Sequence, residues 1–245
     1  MAEIVPARPA STVLLLRDGA EGLEVFMVVR HREIEFAGGA LVFPGGRVEK
    51  DDAAIAGPDP LDGFRIAGIR ETFEECGVLL ARPDGGGTLV DAARLAAIEP
   101  RWRARVAKGE APLSALLAEE KLVAAPDTML HFAHWITPES RPKRFDTQFF
   151  VAAAPPDQVA AHDGHESEDS VWIRPLQAVE EANAGQRRLV FATRKVLEKL
   201  GRSATVAEAL AAARAAQVVT VMPAMVRIEG AWRLSIPLEA CLLYT

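Results

Sequence analysis

The stretch from Phe64 to Leu80, FRIAGIRETFEECGVLL, constrains this chain more than any other. Ile66, Ile69 and Phe73 recur at i, i+3 and i+7, the spacing of one apolar stripe along a helix. Glu71, Glu74 and Glu75 recur at i, i+3 and i+4, so their carboxylates share a second face. At about 100° per residue the two faces point in nearly opposite directions. The helix is therefore expected to bury one side in a core and to carry three negative charges on the other. Gly77 follows the last carboxylate, where a left-handed residue ends a helix.

Three carboxylates on one turn repel each other by about 1 kcal/mol per pair even in water, and by more in a cleft. Arg70, four residues before Glu74, offsets part of this. A solvated acidic face is the plainer explanation of such a helix. It leaves unexplained the arginine, the glycine stop and the upstream Phe43-Pro44-Gly45-Gly46 turn, where Gly45 and Gly46 permit close backbone approach to a ligand. A hard divalent cation held by oxygen ligands explains all of them together. Mg2+ is the usual ion where phosphates are substrates, with Mn2+ as the alternative.

Arg70-Glu71-Thr72-Phe73-Glu74-Glu75-Cys76-Gly77-Val78 resembles the second half of the Nudix box, G-x5-E-x7-R-E-U-x-E-E-x-G-U with U apolar. The first half is present with departures. Gly46 is its glycine, and Asp52 stands where glutamate is usual. From Asp52 to Arg70 there are 17 intervening residues instead of 7, so a ten-residue insertion at about 53–62 splits the box. The resemblance implies an α/β fold, a Nudix-type α/β/α sandwich with a mixed sheet and a helical insertion. It implies that Glu71, Glu74 and Glu75 hold Mg2+ together with the Gly46 carbonyl, with Glu71 either a ligand or a base. It further implies that a glutamate from a later acidic loop reaches the metal as ligand or as base. By position that is Glu166, with Glu168 second. Arg70 is expected to orient the carboxylates by charged hydrogen bonds.

With 245 residues, 49% of them apolar, the chain suits one domain over 1–245 with a helical insert at about 88–125. A net charge of −6 argues against a nucleic-acid partner or an anionic membrane surface. It does not exclude phosphate substrates, because a bound cation inverts the local field. Cys76 and Cys241 give no disulfide framework, which makes a reducing, cytoplasmic setting the expectation. The apolar run Thr12–Leu16 is too short for a leader or a membrane span.

Residues 11–17 and 24–31 read as two strands joined by a glycine-containing loop at 18–22. Arg30 and Arg32 then lie at a strand end, either meeting an anionic substrate or solvated there. Residues 89–107 and 113–122 read as helices of the insert, which either caps the site or makes a homodimer contact. Arg101-Trp102-Arg103-Ala104-Arg105 is the nearest approach to a nucleic-acid-binding surface and lacks a matching scaffold. Strands are expected at 131–138 and 144–151, where Arg144 and Asp146 either touch substrate or form an internal pair that orders a loop. His131 and His134, three apart on a strand, are expected to face opposite ways, which argues against a zinc pair. The acidic run 163–170 is expected to form a turn before a strand at 171–173, and Pro175 to open a helix. Helices at 187–200 and 205–215 and strands at 218–222, 225–228 and 232–236 complete the chain.

The run Phe36-Ala37-Gly38-Gly39-Ala40-Leu41-Val42-Phe43-Pro44-Gly45-Gly46, the split box, the long insert and the phrase WITP…RFDTQFF extend the resemblance over about 12–200. They are similar to the Nudix branch that contains the animal peroxisomal acyl-CoA diphosphatases. That implies metal-dependent hydrolysis of a phosphoanhydride in a nucleoside diphosphate linked to another moiety, with coenzyme A or acyl-CoA favoured. ADP-ribose and NADH stay open as substrates, as does a non-catalytic ligand-binding module, although such modules would show eroded carboxylates. No covalent intermediate is expected, since no Ser-His-Asp or Cys-His arrangement attaches to this site.

Overall fold

The computed structural model describes residues 4–31, 38–164, 167–237 and 240. Strands β1 (Arg8–Gly19) and β2 (Gly22–Arg30) form the first hairpin, followed by β3 (Leu41–Val42), β4 (Gly45–Arg47), α1 (Lys50–Ala54) and α2 (Asp62–Cys76). Next come β5 (Ala81–Pro83), α3 (Ala92–Ala107), α4 (Leu113–Glu120), β6 (Leu122–Ala124), β7 (Leu130–Ile136) and β8 (Phe145–Ala153). Then follow β9 (Ser167–Ile173), α5 (Pro175–Asn183), α6 (Phe191–Leu200), α7 (Val206–Ala215), β10 (Thr220–Val221), β11 (Ala224–Ile228) and β12 (Ala231–Ser235). The first hairpin is tighter than expected, because Gly19 and Gly22 pair and leave only Ala20 and Glu21 in the turn.

Among the described residues, eight strands form one mixed sheet. β1 runs parallel to β8 from Arg8 to Leu16 but antiparallel to β2 only from Leu16 to Gly19. On the same edge, nearer its start, β1 instead takes β4 at Ala10–Thr12, while β2 takes β3 at Val28 and Val29. The two strands therefore fork, and the Phe43–Arg47 segment fills the fork. Val13 N–H donates to Pro44 O there at 2.9 Å.

Alternation along β1 sorts the core onto two faces, since neighbouring side chains of a strand point opposite ways. Val13 and Leu15 pack with Phe26, Phe150 and the Ile66, Ile69 and Phe73 stripe of α2, and beyond it with Ile98, Trp102 and Leu116 of the insert. Leu14 and Leu16 pack with Val25 and Met27 under Ala178, Val196, Leu197 and Ala209 of α5, α6 and α7. Helices on both faces of a mixed sheet make an α/β/α sandwich. Burying Phe73 completely contributes about 2–3 kcal/mol, so the apolar stripe anchors α2 firmly.

Gly77 stops α2 at φ +71°, with its N–H donating to Phe73 O at 3.0 Å and Val78 N–H donating to Thr72 O at 3.4 Å. The acidic face differs from a solvated one: Glu71 and Glu75 are buried and Glu74 is half-buried. β9 starts at Ser167, so Glu168 and Asp169 belong to a strand rather than to a turn before it. A bulge in β7 sets His131 opposite Phe150 but Ala133 opposite Phe149. The extra residue cancels the alternation, and His131 and His134, opposite Phe150 and Gln148, share one face instead of opposing ones. Among the described residues, no helix is long and apolar enough to cross a membrane.

Candidate active site

Arg70 is the hub of the site. It is nearly fully buried, on the flank of α2 that faces β4 and α1. Nε donates to Asp52 Oδ1 at 3.1 Å, and Nη2 donates to Asp52 Oδ2 at 3.2 Å and to Arg47 O at 2.7 Å. Nη1 donates to Glu71 Oε1 and to Glu74 Oε1, both at 2.9 Å. Burial alone would lower the guanidinium's pKa, but Glu71, Asp52 and Glu74 outweigh it and hold Arg70 above its ordinary value. Burial lifts Asp52 and Glu74 above the ordinary carboxylate values, with Arg70 pulling the other way.

Asp52 is completely buried, and its Oδ2 also accepts the Glu49 N–H at 2.8 Å. The ten extra residues that split the box therefore leave Asp52 in contact with Arg70. They begin in the short helix α1 and loop out before α2. Asp52 ties the turn after β4 to the acidic helix.

Gly45 and Gly46 pass close beneath the carboxylates. Gly45 N–H donates to Glu75 Oε2 at 3.3 Å. A Cβ on Gly46 would lie 2.6 Å from Glu71 Cδ, and one on Gly45 would lie 2.8 Å from Thr12 Cα. Only a residue without a side chain lets backbone and carboxylates meet this way.

Asp52, Glu71 and Glu74 thus converge on the Arg70 guanidinium, and Glu75 of the same helix meets the Gly45 N–H. Glu71 and Glu74 turn one oxygen each to Arg70, and among the described residues no three acidic, His or Cys side chains close into a preformed metal cage. The donor chemistry fits a hard divalent cation: carboxylate and carbonyl oxygens, with more negative charge than Arg70 neutralises.

The other expected site residues divide. Arg30 ends β2 opposite Ser167, the residue after Glu166. Arg32 and Glu166 lie outside the described residues. Glu168 is 3.9 Å from His31 Nε2. Arg144 is buried and works for the fold: Nε donates to Thr137 O at 3.0 Å and Nη1 to Val5 O at 2.7 Å. It does not form the internal pair with Asp146 expected from sequence. Asp146 instead meets His134 Nε2 at 2.5 Å, and His134 Nδ1 meets Thr220 Oγ1 at 2.8 Å. Both ring nitrogens of His134 are engaged, so the histidine pair is not a zinc site despite its shared face.

The basic run in the insert is also structural. Arg101 pairs with Glu120, Trp102 is buried with Nε1 donating to the same carboxylate at 2.9 Å, and Arg105 stacks 4.6 Å over the Trp102 ring. Arg103 reaches the end of α2, where Nε donates to Glu74 O and Nη2 to Glu75 O, each at 2.9 Å. Sequence reading missed this contact, since nothing in local spacing pairs Arg103 with a helix end 28 residues earlier.

The profile of the NUDT19 Nudix domain matches residues 56–190, more than half of the chain. The chain belongs to the Nudix hydrolases. Nudix hydrolase 7 of Caenorhabditis elegans is 30% identical over 67% of this chain and 51% of that protein. The acyl-coenzyme A diphosphatase NUDT19 of Gallus gallus is 34% identical over 49% of this chain and 36% of that protein. The chain thus spans about half the length, or less, of these curated relatives. A crystal structure of a NUDIX hydrolase from Alicyclobacillus acidocaldarius superposes with a TM-score of 0.75 at 25% identity, covering 89% of this chain and all of that one. Helix α2, with Glu71, Glu74 and Glu75, lies within the matched residues.

Proposed function

We propose that this Nudix protein hydrolyses the phosphoanhydride bond of a nucleoside diphosphate linked to another moiety, in the coenzyme A or acyl-CoA class, with Mg2+ as cofactor. The observation that carries the reading is the carboxylate cluster of α2: Arg70 holds Glu71 and Glu74, the Gly45 N–H holds Glu75, and Gly46 lies against Glu71. Its similarity to proteins named acyl-coenzyme A diphosphatase supports the substrate class.

Glu71, Glu74 and Glu75, with the Gly46 carbonyl, would hold the cation. A divalent cation there supplies neutralising charge for the diphosphate and lowers the pKa of a coordinated water. The remaining tasks fall to the chain. Arg70 fixes the Oε1 atoms of Glu71 and Glu74, so their other oxygens keep a defined direction. The Gly45 N–H does the same for Glu75 Oε2. Glu166, or Glu71 where it does not itself hold the cation, would serve as the base on the attacking water. Without a side chain, the Gly46 backbone lies directly against the Glu71 carboxylate.

The test is product release from coenzyme A, an acyl-CoA, ADP-ribose and NADH, each with and without Mg2+, with Glu75→Gln as control. Mg2+-dependent cleavage of the coenzyme A substrates is expected, with a drop of about a hundredfold or more in the variant. Preference for ADP-ribose or NADH would overturn the substrate class. Activity untouched by Glu75→Gln would overturn the site.

A further inference from the structure

We infer that Arg103, in the α3–α4 insert, is a positioning residue for the carboxylate cluster; this rests on the hydrolase reading above. The last turn of a helix leaves carbonyls without partners inside the helix. In α2 each has a partner. Thr72 O and Phe73 O accept from Val78 N–H and Gly77 N–H, and Cys76 O accepts from Ala161 N–H at 2.9 Å. The two that remain, Glu74 O and Glu75 O, accept from Arg103. These are the main-chain carbonyls of two of the residues that would hold the cation.

The same guanidinium does two more things. Nη2 donates to Ala161 O at 2.8 Å, and Nη1 donates to Glu99 Oε1 at 2.8 Å, one turn back on α3. Arg103 thus joins the end of α2 to the segment after β8, five residues before Glu166. Gly77 gives it room, since a Cβ there would lie 2.8 Å from Nη1. A cation at a helix C-terminus also complements the helix dipole. From the first turn of α4, Ser114 N–H donates to Asp51 Oδ2 at 3.0 Å, beside Asp52. The insert therefore grips both halves of the split box. Fraying of the last turn would swing Glu74 and Glu75, and misplacement by about 1 Å costs on the order of a hundredfold in rate. A lysine offers a point charge and cannot reach three carbonyls in the fork geometry of a guanidinium.

The experiment compares the whole chain with Arg103→Gln, Arg103→Lys and, as control, Arg94→Ala, which breaks a pair with Glu120 inside the insert. Amide hydrogen exchange is read without metal or substrate, and kcat, KM and half-saturating Mg2+ on the best substrate. Expected for Arg103→Gln is exchange about tenfold faster at 77, 78 and 161, with the first turns of α2 unchanged. Its kcat should fall about ten- to a hundredfold and half-saturating Mg2+ should rise, while KM stays within about twofold. Arg103→Lys should recover part of kcat, and Arg94→Ala should match wild type. Unchanged kcat in folded Arg103→Gln, or faster exchange spread evenly over the fold, would overturn the inference. If the wild type cleaves nothing in the panel, the hydrolase reading falls. Exchange alone then decides the brace: local loosening upholds it, and none overturns it.

Discussion

Replacing Arg70 by methionine keeps most of the buried stem and removes the charge on which Asp52, Glu71 and Glu74 converge. Taking one partner from a buried ion pair costs about 3–5 kcal/mol, because the remaining charge stays buried without compensation. For a chain of this size that corresponds to a fall of about 6–20 °C in Tm. The loss should depend on pH in a definite direction. Burial already holds Asp52 and Glu74 above their ordinary pKa values, and without Arg70 nothing on this scale opposes it. Carboxyls with raised folded pKa values stabilise while protonated and lose that contribution as pH rises through the folded pKa. Urea denaturation of metal-free protein should show the gap between Arg70→Met and wild type widening from pH 5 to pH 8, chiefly through the midpoint rather than the slope. A gap below about 1 kcal/mol, or one independent of pH, would refute the hub role of Arg70.

Gly46→Ala should push the Glu71 carboxylate aside and reduce kcat at least about tenfold, with a stability loss of only about 1–3 kcal/mol measured in urea. Gln158→Ala should cost about 2–4 kcal/mol by denaturation, because Leu79 N–H and C=O and Val90 C=O lose their side-chain partner in the core. Burial, with a smaller push from Arg202, draws Lys199 down to about 8 although its ammonium donates to Phe132 O and sits 4.4 Å over the Phe132 ring. The unfolded chain then binds more protons between pH 8 and 10, so denaturation midpoints should rise with pH across that window, and Lys199→Met should flatten the rise.

What could be read from the sequence was local. The period of Ile66, Ile69 and Phe73, the three glutamates and the Gly77 stop needed only the geometry of one helix, and α2 runs where that spacing puts it. The first hairpin was legible for the same reason, although paired glycines shorten its turn. Contacts set by tertiary packing were not legible. Arg144 and Asp146 flank the first residue of β8, yet one binds the Thr137 and Val5 carbonyls and the other binds His134. One bulged residue in β7 reversed the facing of a histidine pair, and no local pattern marks where a bulge falls. The joint roles of Asp52 and Arg103 depend on segments far apart in sequence folding against the middle and the C-terminal turn of the same helix.

Titration of the metal-free protein with Mn2+, followed by calorimetry or by the spectrum of the ion, most directly tests whether these carboxylates form a metal site. Saturable binding is expected, weakened about tenfold or more in Glu75→Gln and competed by Mg2+. No binding by the folded wild-type protein, or equal affinity in the variant, would contradict it.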